Sequence, residues 1–255
     1  MKNSYKKRLI VSSITTLLLA GVAAPALAAP VKNIVLVHGA FVGGSGWRPV
    51  YDILTKDGYN VTLVQEPLTS FTDDVTATKR ILDEQKGPAI LVGHSYGGAI
   101  ITEAGNDSHV AGLVYIAAHA LDTGETEASN GKKFPNSARP FAKSADGYLT
   151  IKPENFPSDF AADLPLKEAE FEAHAQMPTN ASVFTANIPD PAWKVKPSWY
   201  MVAQQDKIIN PDLERMYAAR AHSHKVEIAG ASHSVYESHP KEVAALIEQA
   251  AQHAL

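Results

Sequence analysis

The 255-residue sequence contains no cysteine. This absence excludes disulfide bonds, a thiolate nucleophile, cysteine-ligated zinc and iron–sulfur clusters. The sequence also lacks an excess of positive charge, because 23 Lys and Arg residues stand against 27 Asp and Glu residues for a net charge of −4. Such a chain has no basic field with which to bind phosphates, so we predict no nucleic-acid partner.

The residues that are present are those of an ordinary globular protein. Hydrophobic residues make up 45% of the chain and charged residues 20%. This balance supplies a sizeable core and is too apolar for a disordered chain. At roughly 150 residues per domain, the length predicts one large domain or two small ones.

The N-terminal segment has the pattern of an export signal. Four positive charges at positions 2, 6, 7 and 8 precede an uncharged stretch from Leu9 to Pro30, which contains the small-x-small triplet Ala26-Leu27-Ala28. We therefore predict a signal peptide over residues 1–28 and export to the periplasm or the medium. The alternative is an uncleaved membrane anchor, but serines, threonines and Pro25 interrupt a span already near the minimum of about 20 apolar residues. We predict no membrane span after the signal is removed.

Short apolar runs alternate with helical patterns along the rest of the chain. The runs that read as strands are 33–38, 61–64, 89–92, 113–117, 199–203 and 225–228. Helical patterns cover residues 71–82, 96–106, 211–220 and 240–252. This alternation predicts an α/β fold with a mostly parallel sheet of about six strands flanked by helices.

Residues 122–197 interrupt this alternation. They hold 9 of the 16 prolines, and only residues 166–176 have a clear helical pattern. A poorly ordered surface excursion is one interpretation, but the eight Phe, Tyr and Trp residues noted between 134 and 193 are too many for a solvated linker. We predict an inserted cap that covers another part of the molecule.

A serine lies at a strand-to-helix junction. The segment Gly93-His94-Ser95-Tyr96-Gly97 is a G-x-S-x-G motif between the third predicted strand and a helix. Glycines on both sides permit a sharp turn that lifts the serine hydroxyl above the sheet. The alternative is an ordinary serine in a glycine-rich turn, but the strand before it and the helix after it favour a nucleophile at Ser95.

A serine nucleophile needs a base and a carboxylate that orients the base. His233 follows the last predicted strand in a loop of small residues, and Asp206 follows the strand before it. The chain order Ser95, Asp206, His233 is the one found in α/β-hydrolases. Asp122, which follows the fourth strand, is the competing carboxylate.

The loop after the first strand, His38-Gly39-Ala40-Phe41, is rich in small residues. The backbone N–H groups of Ala40 and Tyr96 are the predicted donors of an oxyanion hole, and we expect His38 to brace the loop. Phe41, His119 and Trp193 are predicted to contact substrate. His222 and His224 have no third ligand nearby, so we predict no metal site.

From about Val31 to its end the chain resembles an α/β-hydrolase. The segments Leu36-Val37-His38-Gly39-Ala40, Gly93–Gly98 and Gly230-Ala231-Ser232-His233 look closest to small bacterial esterases related to plant methylesterases and hydroxynitrile lyases. The resemblance implies one hydrolase domain over residues 29–255 with a cap insertion over 122–197, no cofactor, and the roles already given to Ser95, His233, Asp206, Ala40 and Tyr96.

The expected function is hydrolysis of a small carboxylic ester through an acyl-enzyme. Lactone hydrolysis, hydroxynitrile lyase chemistry and non-catalytic ligand binding on the same fold are the alternatives. The plant lyases in this resemblance have threonine directly after the first-strand histidine and lysine directly after the catalytic histidine. This chain has Gly39 and Ser234 at those positions, which favours an esterase with an open oxyanion hole.

Overall fold

A computed structural model describes residue 1 and residues 29–255. The predicted signal peptide therefore lies, apart from Met1, outside the described residues, and its assignment stays a prediction. Between residues 29 and 255, no helix is long and apolar enough to cross a bilayer.

The predicted parallel sheet is confirmed. Its six strands have the order β2-β1-β3-β4-β8-β9, and every neighbouring pair is parallel. The strands described are β1 (Asn33–Val37), β2 (Asn60–Leu63), β3 (Ala89–Ser95), β4 (Val110–Ala118), β5 (Ala142–Lys143), β6 (Tyr148–Thr150), β7 (Thr179–Asn180), β8 (Ser198–Ala203) and β9 (His224–Ile228).

Helices cover both faces of this sheet. They are α1 (Arg48–Lys56), α2 (Phe71–Asp83), α3 (Gly97–Ala104), α4 (Glu127–Lys133), α5 (Phe156–Asp159), α6 (Leu166–His174), α7 (Pro211–Arg220), α8 (Val235–Ser238) and α9 (Pro240–His253). Short 3-10 helices cover Gly44–Trp47, Ala181–Thr185 and Ala192–Lys194. Ser70 caps α2 by accepting a hydrogen bond from the Asp73 backbone N–H at 3.1 Å.

The sheet separates two apolar cores because successive side chains of a strand point to opposite faces. Leu91 on β3 packs into the core on the side of α2 and α3, whereas Ile90 and Val92 pack into the core on the side of α1 and α9. All seven residues of β3 are buried. This explains why the strand is a continuous apolar run, and it holds the end of β3 rigidly in the centre of the sheet.

The segment predicted as a cap contains more regular structure than its sequence indicates. Besides α6, it holds the short helices α4 and α5, and β5, β6 and β7 form an antiparallel sheet. The expectation of helix in residues 166–176 alone was therefore wrong. Strands of two or three residues have no detectable period, and α4 begins at a capping box formed by Thr126 and Ser129.

Candidate active site

Ser95 ends β3 in a strained turn. Its φ of 54° lies in the left-handed region, which costs a residue with a side chain roughly 1 kcal/mol or more. A methyl carbon at Gly93 would lie 2.5 Å from the Gly97 carbonyl oxygen, and one at Gly97 would lie 2.6 Å from the His38 carbonyl oxygen. Glycine is required at both positions because other backbone segments approach so closely, and the resulting turn presents the serine hydroxyl at the edge of the sheet.

Ser95, His233 and Asp206 form a hydrogen-bonded chain. Ser95 Oγ lies 2.8 Å from His233 Nε2, and His233 Nδ1 lies 2.5 Å from Asp206 Oδ2. All three residues are buried, with His233 0% exposed. When Nδ1 carries the ring proton and donates a hydrogen bond to Asp206, Nε2 is free to accept a hydrogen bond from the serine hydroxyl. This arrangement is able to remove the serine proton during attack on a carbonyl carbon.

Further contacts fix the orientation of Asp206. Its Oδ1 accepts hydrogen bonds from the backbone N–H groups of Ile208 at 2.7 Å and Ile209 at 2.9 Å, which leaves Oδ2 for His233. Glu214 on α7 lies behind this carboxylate and is fully buried. Burial, and then the charge of Asp206, raise the pKa of Glu214 well above 4.5. Burial therefore favours the neutral form of Glu214 next to the Asp206 carboxylate.

Asp122 lies in a different environment. Its carboxylate pairs with Lys194 Nζ at 2.5 Å, and its side chain is 34% exposed. It also accepts a hydrogen bond from the Thr123 backbone N–H. The Asp122 carboxylate thus pairs with Lys194 and Thr123 and not with His233. The geometry therefore favours Asp206 over Asp122 as the partner of the histidine.

Ala40 and Tyr96 have backbone N–H groups without acceptors among the described residues. The loop that carries Ala40 packs against the serine, since a methyl carbon at Gly39 would lie 2.7 Å from Ser95 Cβ. The next residue, Phe41, has a φ of 70° and donates its N–H to Thr179 Oγ1 at 3.0 Å. Two N–H donors without acceptors, one next to Ser95 in the chain and one in the loop packed against it, agree with the predicted oxyanion hole, which stays a prediction.

His38 braces this loop, as expected. Its Nδ1 lies 2.9 Å from the Gly39 carbonyl oxygen and its Nε2 lies 2.6 Å from Glu66 Oε2. Burial lowers the pKa of His38, but the opposing effects of Glu66 and the Gly39 carbonyl are larger in sum, so the pKa is raised above 6.5. The Glu66 backbone N–H also lies 3.1 Å from His38 Nε2, so the His38 ring connects the Gly39 loop to the segment that follows β2.

His94, at the first variable position of the G-x-S-x-G motif, packs against the catalytic histidine and supports it. Its Nε2 lies 2.9 Å from the His233 carbonyl oxygen, and the two rings are 4.7 Å apart at their centroids. Burial lowers the pKa of His94 well below 6.5. The neutral ring therefore packs against His233 and fixes its backbone.

A cavity of about 200 Å³ opens above Ser95. Ala40, Phe41 and His119 lie in its wall, and substrate contact by Phe41 and His119 stays a prediction. The remaining wall is mainly apolar; its large side chains are Phe134, Phe141, Phe184, Ile208, Ile209 and Leu213. Three of these aromatic residues come from the segment predicted as a cap, so that segment encloses the serine.

Trp193 is not in this wall. Its indole N–H donates to the Leu121 carbonyl oxygen at 2.9 Å, and its ring packs against Lys194 and Arg220. The expectation that Trp193 contacts substrate is therefore not met in the described structure. Glu127, which the sequence analysis did not select, does lie in the wall. No motif or period marks it, because its position depends on how α4 packs over the sheet.

The described geometry agrees with comparisons to known proteins. The profile of the alpha/beta hydrolase family matches residues 34–246. The chain belongs to this family. Over 108 residues it is 34% identical to the carbendazim hydrolyzing esterase of Nocardioides sp. (strain SG-4G). The aligned segment covers 37% of this chain and 45% of that relative. The match thus spans under half the length of that relative.

Solved structures share the fold across most of the chain. Polyneuridine aldehyde esterase superposes with a TM-score of 0.72 at 18% identity, covering 86% of this chain and 98% of that one. A pyrethroid hydrolase from Sphingobium faniae JZ-2 gives 0.72 at 23% identity, with 88% and 98% covered. A methylesterase from Arabidopsis gives 0.71 at 20% identity, with 86% and 98% covered. The predicted resemblance is confirmed at the level of family and fold.

Proposed function

We propose that this protein is a serine esterase that cleaves small carboxylic esters through an acyl-enzyme on Ser95. The observation that carries the proposal is the hydrogen-bonded chain of Ser95, His233 and Asp206 at the floor of an apolar cavity. The esterase names of the Nocardioides relative and of two structural neighbours support the same class of substrate.

In this mechanism His233 Nε2 takes the proton of Ser95 while Ser95 Oγ bonds to the ester carbonyl carbon. The tetrahedral oxyanion accepts hydrogen bonds from the N–H groups of Ala40 and Tyr96. His233 then gives its proton to the departing alkoxide oxygen, and the acyl-enzyme forms as the carbon–oxygen bond breaks. Water repeats the sequence with His233 as base, which releases the carboxylic acid and restores Ser95. Asp206 stabilises the imidazolium that forms in each step.

The cavity supports small substrates. A volume of about 200 Å³ lies below the range of about 300–1,000 Å³ typical of pockets for drug-sized ligands. Its aromatic wall favours an apolar acyl or alcohol group next to the scissile bond. A small lactone would use the same residues, and lactone hydrolysis stays within this proposal as a substrate alternative.

Hydroxynitrile lyase chemistry is the second candidate, and two positions argue against it. The threonine that the plant lyases carry would have to fit at Gly39, where a methyl carbon would already lie 2.7 Å from Ser95 Cβ and 3.1 Å from the His94 carbonyl oxygen. At the position of the lysine stands Ser234, which is buried and supplies no cation for cyanide. The intact chain of three residues disfavours a purely ligand-binding role.

The test compares wild-type protein with Ser95→Ala on p-nitrophenyl acetate and on mandelonitrile. We expect ester turnover that falls about a thousandfold or more in Ser95→Ala, and no benzaldehyde release above the uncatalysed rate. Ester turnover that Ser95→Ala retains would remove the nucleophile assignment. Ser95-dependent mandelonitrile cleavage without ester turnover would replace the esterase with a lyase.

We also propose that the chain is exported and processed after Ala28. The support is the charged start, the apolar stretch and the small-x-small triplet of residues 1–28. N-terminal sequencing of the mature protein is expected to begin at Ala29, and a product that retains Met1 would contradict the proposal.

A further inference from the structure

The loop that carries His233 is held by the segment predicted as a cap (the cap segment). The Ser232 backbone N–H donates to Asp163 Oδ2 at 3.1 Å, and the Ser234 backbone N–H donates to the Phe160 carbonyl oxygen at 3.0 Å. Both acceptors lie in the connection between α5 and α6, which belongs to the cap segment. The backbone N–H groups of the residues on either side of His233 are therefore fixed by this connection.

Asp163 contacts Ser232 with both oxygens of its carboxyl group. Oδ2 accepts from the backbone N–H, and Oδ1 accepts from the Ser232 hydroxyl, whose oxygen also lies 3.2 Å from the Phe160 carbonyl oxygen. Ser232 is 2% exposed and the Asp163 side chain 17%, so the contact is largely shielded from water. A carboxyl group that binds at two points fixes the direction of its partner as well as its position. Asp163 therefore fixes the residue that directly precedes His233.

Phe160 also contacts the ring of His233. The two ring centroids lie 4.7 Å apart with their planes at 82°, which is an edge-to-face arrangement. Phe160 is 1% exposed, and its ring stacks on Phe156 of α5 at a centroid distance of 4.7 Å. The connection between α5 and α6 thus contacts the imidazole directly as well as the backbone on both sides of it.

These contacts determine where Nε2 of His233 lies. Asp206 orients the imidazole through Nδ1, but the backbone of His233 lies between β9 and α8, outside both elements. In the proposed mechanism Nε2 takes a proton from Ser95 and then delivers it to the leaving oxygen, so it has to reach two different atoms. A displacement of about 1 Å in such a site costs about a hundredfold in rate. The position of the loop therefore matters for both proton transfers.

We propose that Asp163 is a positioning residue that holds His233 within reach of both Ser95 and the leaving oxygen. The proposal rests on the proposed esterase function, and it gives the cap segment a second role besides enclosing the cavity. Asp163 is not among the described residues that line the cavity, so it acts through Ser232 and not by contact with substrate. Esters with a basic leaving group depend on it most, because His233 has to protonate that group.

Acetate esters that differ only in the leaving group separate the positioning of His233 from a loss of folded protein. p-Nitrophenoxide departs without a proton, whereas butoxide needs one from His233. Both esters form the same acetyl-enzyme, and kcat/KM covers only the steps up to its formation. The quantity measured is kcat/KM for butyl acetate divided by kcat/KM for p-nitrophenyl acetate. A smaller fraction of folded protein lowers both values equally and leaves this ratio unchanged.

Asp163→Ala is expected to lower kcat/KM about a hundredfold for butyl acetate and about tenfold for p-nitrophenyl acetate, so the ratio falls about tenfold. Asp163→Asn is expected to keep the ratio within about threefold, because its carbonyl oxygen accepts from the Ser232 N–H and its NH₂ group donates to the Ser232 hydroxyl. Gln176→Ala is the matched control, since the Gln176 side chain hydrogen-bonds to Ile151 and Ala173 within the cap segment. It is expected to leave the ratio unchanged, whatever it costs in stability to urea.

Three results would overturn the proposal. The ratio in Asp163→Ala equals that of wild type; Asp163→Asn lowers the ratio as fully as Asp163→Ala; or Gln176→Ala lowers it as much. If Asp163→Ala does not fold, Ser232→Ala replaces it, because it removes the hydroxyl that Asp163 Oδ1 contacts, and an unchanged ratio counts against the proposal in the same way. Phenyl acetate replaces butyl acetate if the latter is turned over too slowly to measure, and its ratio is expected to fall about threefold because phenoxide is less basic than butoxide. Absence of any Ser95-dependent ester hydrolysis would refute the esterase function itself, which separates the two failures.

Discussion

Replacing Asp206 with asparagine tests how the structure activates His233. In wild-type protein Asp206 Oδ1 accepts from the backbone N–H groups of Ile208 and Ile209, and Oδ2 faces His233 Nδ1 at 2.5 Å. An asparagine is held in one orientation, because turning its amide nitrogen toward two backbone donors would leave both unpaired at about 1–3 kcal/mol each. Its NH₂ group therefore faces Nδ1 and forces the ring proton onto Nε2.

A proton on Nε2 points at Ser95 and prevents the imidazole from accepting the serine hydrogen. We expect kcat/KM for p-nitrophenyl acetate to fall about 10⁴-fold, which corresponds to about 5.5 kcal/mol of transition-state stabilisation. Folding should change little, since the amide keeps the two backbone contacts and removes a charge that lies near the buried Glu214.

Asp122→Asn is the matched control. It removes a partly exposed pair with Lys194, which contributes about 0–1 kcal/mol to stability, and it touches none of the three hydrogen-bonded residues. Rates are measured under identical conditions with urea unfolding as the check on folding. The reasoning is refuted if Asp206→Asn stays within tenfold of wild type, or if Asp122→Asn loses as much activity.

Three further changes probe the packing at Ser95 and the partly buried carboxyl group of Glu237. Gly39→Ala places a methyl carbon 2.7 Å from Ser95 Cβ, so we expect at least a hundredfold loss of ester turnover, and a variant as active as wild type would contradict the packing. Ser95→Gly relieves the φ of 54° and should be about 1 kcal/mol more stable to urea than Ser95→Ala; equal stability would remove the strain argument. Burial, and then Glu172, raise the pKa of Glu237 to about 8. Because this folded value exceeds the ordinary 4.5, wild-type stability declines as pH rises from about 4.5 to 8. Glu237→Gln should therefore be more stable than wild type by about 1–2 kcal/mol at pH 9 after allowance for partial exposure, and equal to it at pH 4; a gain at both pH values would count against the titration.

The parts that the sequence predicted well are those with strong local constraints. β3 is buried on both faces and so appears as an unbroken apolar run, and the G-x-S-x-G that follows is required by close backbone approaches at Gly93 and Gly97. His233 and Asp206 follow neighbouring strands β9 and β8, whose carboxyl ends meet at one edge of the sheet. Strand order and residue order together therefore brought the three side chains to one place.

Other features depend on contacts that no local pattern records. β4 begins at Val110, three residues earlier than predicted, because Gly112 pairs with Ile90 even though glycine is a poor strand former. In the segment over 122–197, eight aromatic residues carry no period, so the sequence could not tell that Phe134 reaches the cavity while Trp193 packs against Arg220. Glu127 escaped notice for the same reason.

The central claim is that Ser95 is an activated nucleophile, and covalent labelling measures this directly. A fluorophosphonate is incubated with the folded protein, and the adduct is quantified by intact mass and located by peptide mapping. The account predicts one phosphonyl group per chain, bound to Ser95, absent from Ser95→Ala and formed far more slowly in Asp206→Asn. A protein that hydrolyses esters and yet remains unlabelled, or is labelled at a different residue, would contradict it.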